Sequence, residues 1–380
     1  MTPARVILLS TYFACMTLLA VYGLHRFYLV VLYLRHCGRG SPIPPEPAEP
    51  LPLLTVQLPI YNEIYVAGRA IDAACALDYP RDRLEIQILD DSTDETRDVC
   101  SKKSEEYRAR GYRIRHLVRA KRSGFKAGAL AEGLKVATGE FVAIFDADFV
   151  PPPDFARRIL PYFADRSVGM VQARWGHLNR DQSALTRIQS IFLDGHFLIE
   201  QAARNRSGRF FNFNGTAGIW RKECIETSGG WQHDTLTEDL DLSYRAQMAG
   251  WRFLFLPDVV APAELPAEMN AFKSQQYRWA KGSIQTGIKL LPGILRSGLP
   301  TRIKAEAFFH LTSNVAYLLM VTVSLLYFPV MRAREQMEWS QLLALDFPIF
   351  LFGTGSVLTF YLLSQREVRS GWIGTLRDVP

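Results

Sequence analysis

The chain has 380 residues and a formal net charge of +6, and 48% of its residues are hydrophobic. This length suits one large domain with appendages, or two domains. No basic run is interleaved with aromatic residues as a base-stacking surface requires, so we expect no nucleic-acid partner. The five cysteines are odd in number and lack metal-ligand spacing, which fits reduced thiols in a cytoplasmic domain.

Three apolar stretches are long enough to cross the hydrocarbon core of a bilayer. The first holds no charge over Val6 to Leu24 and stays mostly apolar to Leu34, and the others run over Phe308 to Val330 and Leu342 to Leu363. A cleaved signal peptide is the alternative for the first stretch, but no small-residue cleavage site follows it. We therefore expect a retained anchor and an interaction with the lipid bilayer.

The charges around the first stretch predict its orientation. Three arginines follow it within the next few turns, at 26, 35 and 39, whereas only Arg5 precedes it. The positive-inside rule then places the middle of the chain in the cytoplasm. We expect an integral protein of the cell (inner) membrane with a cytoplasmic middle domain.

These features divide the chain into five parts. Residues 41–52 are too rich in proline for a helix or a strand and are typical of a semi-rigid linker. In chain order we predict a membrane anchor over 1–40, the linker over 41–52, an α/β domain over 53–265, interfacial helices over 266–300, and two membrane helices with a tail over 301–380.

Strands and helices alternate in the α/β domain. Apolar segments predict four strands, at Leu53–Leu58, Leu84–Leu89, Arg113–Val118 and Phe141–Val150. Helical stretches separate them, and the helix after the second strand is expected to be capped by Ser92 or Thr93. The fold class is therefore α/β, a mainly parallel sheet with helices on both faces.

Further elements are expected after the fourth strand. They are a helix from Pro151 through Phe163, a strand over Val168 to Ala173, an amphipathic helix over Ser183 to Arg204, a helix capped by Thr237 and running to about Ala249, and a membrane-surface helix over Ala271 to Leu290. Between them, Phe210 to Gly218 is rich in glycine and aromatic residues, a composition suited to a backbone that approaches a ligand closely.

The fourth predicted strand, FVAIFDADFV, runs into Asp146 and Asp148. Side chains alternate along a strand, so these two carboxylates should point to the same side at the strand's carboxyl end, where open α/β sheets place ligands. Such a pair suits a hard divalent cation that shares its remaining positions with substrate phosphates. A solvated pair of loop residues is the alternative.

Two more acidic pairs and one lysine are candidate site residues. Asp90 and Asp91 follow the second strand at the same sheet edge, where turn and cap chemistry is the alternative. Glu238 and Asp239 begin a helix, where carboxylates are stabilised whether or not they react. Lys126, at the mouth of a helix, could pair with a diphosphate or could be an ordinary solvated lysine.

The last candidate is the segment Gln275 to Trp279, QQYRW. An arginine binds phosphate through a bidentate fork, and a tryptophan face can stack on a sugar ring. A helix that lies at the membrane interface with an aromatic anchor is the alternative.

Seven of these motifs occur together in a known family. In chain order they are YNE at 61–63, DDS at 90–92, FKAG at 125–128, DAD at 146–148, FNG at 213–215, TED at 237–239 and QQYRW at 275–279. The set resembles the membrane-embedded family 2 glycosyltransferases such as cellulose synthase, and more closely the cellulose-synthase-like glucan and mannan synthases. The resemblance covers roughly residues 50–330 and implies a GT-A-type, Rossmann-like fold.

The resemblance also implies roles on the donor side. Asp91 or its neighbour Asp90 would contact the nucleotide base or ribose, with Glu63 near the same pocket. Lys126 would lie beside the diphosphate of the nucleotide sugar. The cofactor would be a divalent cation, Mg or Mn, and its ligands would be the carboxylates of the DAD motif, Asp146 and Asp148, of which Asp146 also contacts the nucleotide sugar.

On the acceptor side, Asp239 would be the general base that removes the proton of the acceptor hydroxyl, with Glu238 beside it. Asn214 and Gly215 would line this side. The clamp on the diphosphate and on the terminal acceptor sugar would consist of Gln275, Arg278 and Trp279.

The implied activity is that of an inverting membrane glycosyltransferase, which transfers a hexose from UDP-glucose or GDP-mannose to a growing β-linked polysaccharide. Three alternatives remain: the same chemistry with a lipid acceptor, a phosphatase of the haloacid dehalogenase type, and a catalytically silent sugar-binding protein. Family synthases carry further helices after the third span, so the chain is expected to be a fragment or a compact variant. The sequence predicts no oligomeric state.

Overall fold

The structure is a computed structural model that describes residues 2–37, 46, 50–335 and 343–369. Most of the predicted linker and the tail after 369 lie outside the described residues. The domain boundaries predicted from the sequence remain predictions.

A seven-stranded sheet forms the centre of the molecule. Its strands are β1 (Leu54–Ile60), β2 (Leu84–Asp90), β3 (Arg113–Val118), β4 (Phe141–Ile144), β5 (Val168–His177), β6 (Gly218–Arg221) and β7 (Arg252–Ala263). The order across the sheet is β3-β2-β1-β4-β6-β5-β7. Since β6 is antiparallel to both of its neighbours and the other pairings are parallel, six strands run in one direction, and the predicted α/β fold is confirmed.

Helices cover both faces of this sheet, as predicted. Those of the α/β domain are α2 (Ile64–Cys75), α3 (Thr96–Ala109), α4 (Phe125–Val136), α5 (Phe155–Ile159), α6 (Ala184–Gly195), α7 (Ala202–Arg206), α8 (Lys222–Thr227) and α9 (Glu238–Met248). A 3-10 turn, Leu160–Ala164, follows α5, and a π-helical segment, His196–Gln201, joins α6 to α7.

The side chains of β4 show how the two faces are filled. Phe141 and Ala143 belong to a buried cluster with residues of α2 and α3, whereas Val142 and Ile144 belong to a second cluster with residues of α4 and α7. This alternation is what a strand buried on both faces requires. β4 is the fourth of the seven strands across the sheet and lies at its centre.

The predicted length of β4 was wrong. The strand ends at Ile144, and the following residues form a turn in which the Phe149 N–H donates to the Asp146 carbonyl at 3.0 Å. The Asp146 N–H leaves the sheet ladder and donates to Thr216 Oγ1 at 2.9 Å. A turn, and not strand alternation, therefore sets the directions of the two carboxylates.

The predicted cap of α3 was also wrong. The helix begins at Thr96, whose N–H donates to the Asp94 carboxylate at 3.0 Å. Ser92 and Thr93 instead contact the loop after β1, since Ser92 Oγ accepts from the Asn62 N–H at 3.0 Å and the Thr93 N–H donates to Asn62 Oδ1 at 2.8 Å. These bonds join the two strand ends that border the site.

The long helices lie outside the sheet. They are α1 (Pro3–His36), α10 (Met269–Arg296), α11 (Thr301–Thr312), α12 (Val315–Glu335), α13 (Leu343–Phe350) and α14 (Ser356–Val368). Among the described residues, α1 and α12 are long and apolar enough to cross a membrane. The second predicted span starts later than expected, after a break between α11 and α12, and the third is interrupted by a π-helical segment, Leu351–Gly355.

Candidate functional site

The acids predicted from the sequence follow three neighbouring strands. Glu63 comes after β1, Asp91 after β2 and Asp146 after β4. The three strands are adjacent and parallel, with Ile60 paired to Asp90 and Gln57 paired to Ile144, so their carboxyl ends lie at one edge of the sheet. This edge is where ligands bind in open α/β sheets.

Glu63, Asp146 and Asp148 form one electrostatic cluster, which we call the acidic triad. Burial, followed by the negative charges of Asp146 and Asp148, raises the pKa of Glu63 to about 8. Burial and the charge of Asp146 raise the pKa of Asp148 to about 7. Like charges are thus held close together in a partly buried place, and a positive ligand would relieve their repulsion.

The triad fits a divalent cation by its chemistry. Carboxylate oxygens are the ligands that Mg²⁺ and Mn²⁺ prefer. Burial and the neighbouring carboxylates raise the pKa of Glu63 and of Asp148 more than the charge of Lys126, which is paired with Asp146, lowers it. Asp146, Asp148 and Glu63 are therefore the residues that could hold a metal.

Lys126 connects the DAD turn to the FNG loop. Its ammonium donates to Asp146 Oδ1 and to the Gly215 carbonyl, the latter at 3.0 Å. Burial disfavours the ammonium, but the charges of Asp146 and Glu238 outweigh this effect and raise the pKa of Lys126 above its usual value. The lysine is thus a fixed cation between the two motifs, and its partner Gly215 lies 89 residues after it in the chain.

Gly215 brings Asp239 into the same pocket. Its φ is +80°, a conformation that favours glycine, and a Cβ built on it would lie 3.1 Å from Asp239 Oδ2 and 3.4 Å from Lys126 Nζ. Burial and the charge of Glu238 raise the pKa of Asp239 to about 7. The structure therefore places Asp239 beside Gly215 and Lys126.

The Asn214 side chain is turned away from the triad. Its Oδ1 accepts from Gln201 Nε2 at 2.6 Å, and its Nδ2 lies 2.8 Å from His196 Nε2. Its N–H donates to Gln172 Oε1 at 3.0 Å. Asn214 thus anchors the loop that carries Gly215.

Asp90 and Asp91 have different surroundings. Asp90 is fully buried, and although burial opposes ionisation, hydrogen bonds from His116 at 2.8 Å and from the Ser92 N–H at 2.8 Å hold the pKa of Asp90 below its usual value. Asp91 is paired with Arg119 and lies 3.9 Å from Arg122. Asp91 is therefore the member of the pair that contacts the two arginines before α4.

Two arginines in this region were missed from the sequence. Arg119 donates to Asp91, to the Ser123 carbonyl at 2.8 Å and to the Phe125 carbonyl at 2.9 Å, which fixes the loop before α4. The guanidinium of Arg122 lies 3.2 Å from the centroid of the Tyr61 ring. Their position just before the FKAG motif was the only pointer that the sequence offered.

Thr216 and Gln172 were also missed. Thr216 Oγ1 accepts from the N–H of Asp146, and the Gln172 amide donates to the carbonyls of Ala173, Thr216 and Ala217. Thr216 lies inside the FNGTAG segment, but nothing in the sequence distinguishes Gln172 from an ordinary strand residue. Thr216 holds the turn after β4 against the FNG loop, and Gln172 holds that loop against β5.

The QQYRW segment lies on α10 and reaches the site through aromatic rings. The Trp279 ring is 6.4 Å from that of Trp175, which is 5.3 Å from the ring of Phe149, the residue after Asp148. Gln275 is half-buried.

Arg278, in the same segment, is exposed. Its described hydrogen bond is to Ser274 Oγ in its own helix. Among the described contacts, Trp279 is thus connected to the residue after Asp148 through Trp175, whereas Arg278 is not.

α10 also packs against the start of α9. A Cβ built on Gly282 would lie 2.5 Å from Thr237 Cγ2, so the backbones approach closely there. Thr237 is the residue before α9, as predicted, but its hydroxyl lies 3.2 Å from Thr286 Oγ1 and makes no capping bond. The helix that carries QQYRW thereby contacts the residue next to Glu238.

Comparison with known proteins agrees with this geometry. Residues 52–282 match the family described as "Glycosyltransferase like family 2". Glucomannan 4-beta-mannosyltransferase 1 of Oryza sativa subsp. japonica is 40% identical over 301 residues, which are 74% of this chain and 58% of that protein. Glucomannan 4-beta-mannosyltransferase 2 of Arabidopsis thaliana is 45% identical over 251 residues, or 65% of this chain and 47% of that protein. The chain spans about half the length of these relatives.

Solved structures share the fold. The mannosyltransferase PcManGT of Pyrobaculum calidifontis, determined in complex with GDP-Man and Mn2+, superposes with a TM-score of 0.62 at 22% identity, covering 99% of each chain. S. aureus TarS in complex with UDP-GlcNAc gives a TM-score of 0.52 at 15% identity, covering 83% of this chain and 91% of that one. The sequence match, the mainly parallel sheet and the shared fold lead to one assignment: the chain belongs to the family 2 glycosyltransferases, as the motif resemblance implied.

Proposed function

We propose that the chain is an inverting hexosyltransferase that transfers mannose from GDP-mannose to the end of a β-linked glycan. The observation that carries this proposal is the bridge made by Lys126, which joins Asp146 of the DAD turn to the Gly215 carbonyl beside Asp239. One pocket then holds both a donor side and an acceptor side.

On the donor side, Asp146 and Asp148 would bind the cation, with Glu63 as a third nearby carboxylate. The bound cation would supply positive charge to the departing nucleoside diphosphate. Lys126 adds a second positive charge at the same place, and it is preorganised because both of its hydrogen-bond partners are fixed. Asp91 and Arg119 would contact the base or ribose, since they border the same edge of the sheet.

On the acceptor side, Asp239 is the proposed general base. With a pKa of about 7, it is substantially ionised near neutral pH and still basic enough to accept a proton. The acceptor oxygen forms a bond to the anomeric carbon, the bond from that carbon to the diphosphate breaks, and the acceptor proton passes to Asp239. Attack from the side opposite to the diphosphate gives the β-linkage. Trp279 would stack on the acceptor sugar. Gln275 and Arg278 would complete the clamp on this sugar and on the diphosphate.

The proposed donor is GDP-mannose. The sequence left UDP-glucose and GDP-mannose open, whereas the relatives at 40% and 45% identity are named as glucomannan 4-beta-mannosyltransferases. The structural neighbour from Pyrobaculum was solved with GDP-Man and Mn2+. UDP-glucose remains the competing donor, and Mg²⁺ the competing cation.

We also propose a membrane location with the catalytic domain in the cytoplasm. α1 and α12 have the length and hydropathy of membrane spans, and arginines at 26, 35 and 39 follow the uncharged stretch of α1. α10 exposes Tyr277, Ile284 and Ile288 by 63%, 47% and 75%, at a spacing that puts them on one helix face. Such a face suits a helix that lies on a lipid surface.

The family assignment leaves no support for the haloacid dehalogenase alternative. The lipid-acceptor alternative keeps the same chemistry and differs only in product. If sugar from the donor appears only in a short, solvent-extractable glycolipid, the acceptor is a lipid; if it appears in an insoluble β-linked glycan, the acceptor is a polysaccharide.

A donor panel tests the proposal. Membranes containing the protein would be supplied with radiolabelled GDP-mannose or UDP-glucose, with Mn²⁺, Mg²⁺ or EDTA, and the product would be subjected to linkage analysis. We expect β-linked mannose from GDP-mannose in the presence of Mn²⁺, and none with EDTA. Incorporation that continues in EDTA, or no incorporation from either donor, would contradict the proposal.

A further inference from the structure

The π-helical segment His196–Gln201 brings two side chains to Asn214. Residues five apart in an α-helix are about 140° apart around the axis, because the helix has 3.6 residues per turn. The i to i+5 hydrogen bonds of a π-helix instead put such residues on the same face. His196 and Gln201 are five apart, and both contact the Asn214 amide, at 2.8 Å and 2.6 Å.

The hydrogen bonds of this cluster have only one consistent direction. The Gln201 amide contacts the Asn212 carbonyl at 2.8 Å, and a carbonyl can only accept, so the Gln201 nitrogen must face it. The same nitrogen donates to Asn214 Oδ1. The Asn214 nitrogen therefore faces His196 Nε2, and because an amide nitrogen only donates, Nε2 must be unprotonated.

The proton of His196 must then be on Nδ1. This nitrogen lies 3.2 Å from Glu200 Oε2 and donates to it. Burial opposes ionisation of Glu200, but the charge of Arg204 and the hydrogen bond from His196 outweigh this and keep the pKa of Glu200 below its usual value. A carboxylate, one tautomer of an imidazole and one orientation of an amide thus form a chain that ends at the FNG loop.

Charged groups on several elements surround His196. Arg204 on α7 lies 3.5 Å from Glu200 and 2.9 Å from Glu306 of α11, and Glu306 lies 3.1 Å from His25 of α1. Further charged or titratable groups near this chain are Arg26 of α1, Arg209, Tyr244 of α9, His310 of α11 and Tyr361 of α14.

The loop held by Asn214 contacts the reacting groups. The next residue, Gly215, accepts from Lys126 and leaves the space occupied by Asp239, and Thr216 accepts from the Asp146 N–H. We propose that His196, as the Nδ1–H tautomer between Glu200 and Asn214, is a positioning residue that holds loop 213–216 against Lys126, Asp146 and Asp239. This inference rests on the proposed transferase function of the pocket.

This arrangement requires a hydrogen-bond acceptor at His196 Nε2. Asn214 cannot turn over without losing its bond from Gln201, so a side chain at position 196 that cannot accept a hydrogen bond leaves the Asn214 amide without this contact. Loop 213–216 is then held less firmly, and transfer falls.

Two variants separate positioning from mere packing. In His196→Gln the oxygen can accept from Asn214 and the amide nitrogen can donate to Glu200, and the side chain does not titrate. In His196→Leu both bonds are lost. His36→Gln is the matched control, because the His36 ring bonds only the Leu32 carbonyl of its own helix among the described contacts.

The first measurement is the kinetics of transfer. We expect His196→Leu to lose about tenfold in kcat/KM for the acceptor with little change in the KM of the donor. His196→Gln and His36→Gln should retain most of the wild-type activity. Unchanged acceptor kinetics in His196→Leu, or a loss in His196→Gln as large as that in His196→Leu, would overturn the inference.

The second measurement does not require activity. Hydrogen–deuterium exchange at pH 8 would be followed for the peptide that covers residues 210–218. We expect faster exchange in His196→Leu and wild-type exchange in His196→Gln and His36→Gln. Equal exchange in all proteins would overturn the inference, whereas slow wild-type exchange without any sugar transfer would contradict only the proposed function.

Discussion

The molecule holds two clusters of buried carboxylates with opposite electrostatics. In the acidic triad, burial and like charges raise the pKa of Glu63 to about 8 and that of Asp148 to about 7. In the cluster between α7 and α11, burial opposes ionisation of Glu306, but bonds with His25 and Arg204 lower its pKa to about 2. Burial raises the carboxylate pKa in both clusters, and the neighbouring charges decide whether the net shift is upward or downward.

The difference distinguishes a binding site from a structural joint. Glu306 is 2% exposed and has its cations within the protein, so it ties α11 to α1 and α7. The acidic triad is short of positive charge and can gain it from a ligand. Strongly perturbed groups that point to an edge of an α/β sheet are typical of functional sites. Mutations in the two clusters should therefore have different consequences.

The largest effect is expected in the acidic triad. Asp148→Ala removes one of the two proposed metal ligands of the DAD turn, and we expect a loss of about a thousandfold in metal-dependent turnover, or about 4 kcal/mol of transition-state stabilisation. In metal-free buffer the melting temperature should stay the same or rise, because the repulsion with Asp146 is relieved. Turnover with Mn²⁺ titration and thermal unfolding with EDTA measure the two effects. Normal activity with normal metal titration would remove Asp148 from the metal site.

The other cluster should respond in stability. Glu306→Gln leaves the buried Arg204 without its closest carboxylate, which lies at 2.9 Å, and breaking such a pair costs about 3–5 kcal/mol of unfolding free energy. The control is Glu106→Gln, since Glu106 is 49% exposed in its contacts with Lys103 and Arg110 and its loss should cost less than about 1 kcal/mol. Denaturant unfolding in detergent compares them. Equal losses would show that the cluster is not a structural joint.

A smaller effect is expected where the two sides of the pocket meet. Gly215→Ala adds a Cβ 3.1 Å from Asp239 Oδ2 at a φ of +80°, and we expect about a hundredfold loss of turnover as Asp239 and Lys126 shift. Gly208→Ala is the matched control, because Gly208 has a φ of +68° and its new methyl group would meet no neighbouring atom within 4 Å. It should cost about 1 kcal/mol of stability and leave turnover unchanged. Equal turnover in both variants would place Asp239 outside the reacting pocket.

The proximity of the predicted donor-side carboxylates was predictable from the sequence, because each of them follows its own strand signal. Asp91 and Asp146 each follow an apolar strand, and parallel strands bring such ends together. The exact course of the backbone was not predictable. β4 ends two residues before Asp146, since the Asp146 N–H bonds to Thr216, which is 70 residues later in the chain.

The acceptor side depends on such distant contacts. Lys126 meets Gly215 across 89 residues, and Asn214 is oriented by a π-helical segment that hydrophobic periodicity does not reveal. The strands β6 and β7 were also missed, β6 because its four residues follow a glycine-rich loop. The motif resemblance nevertheless pointed to Asn214, Gly215 and Asp239, and their roles stay predictions.

In the proposed mechanism, Asp239 is the general base of a pocket whose other side binds the donor and its cation. Asp239→Asn keeps the shape of the side chain and removes its ability to take a proton, so binding and turnover should separate. We expect the mutant to bind GDP-mannose with Mn²⁺ within about twofold of the wild type, while glycosyl transfer falls by about a thousandfold. Full transferase activity in Asp239→Asn would contradict the account.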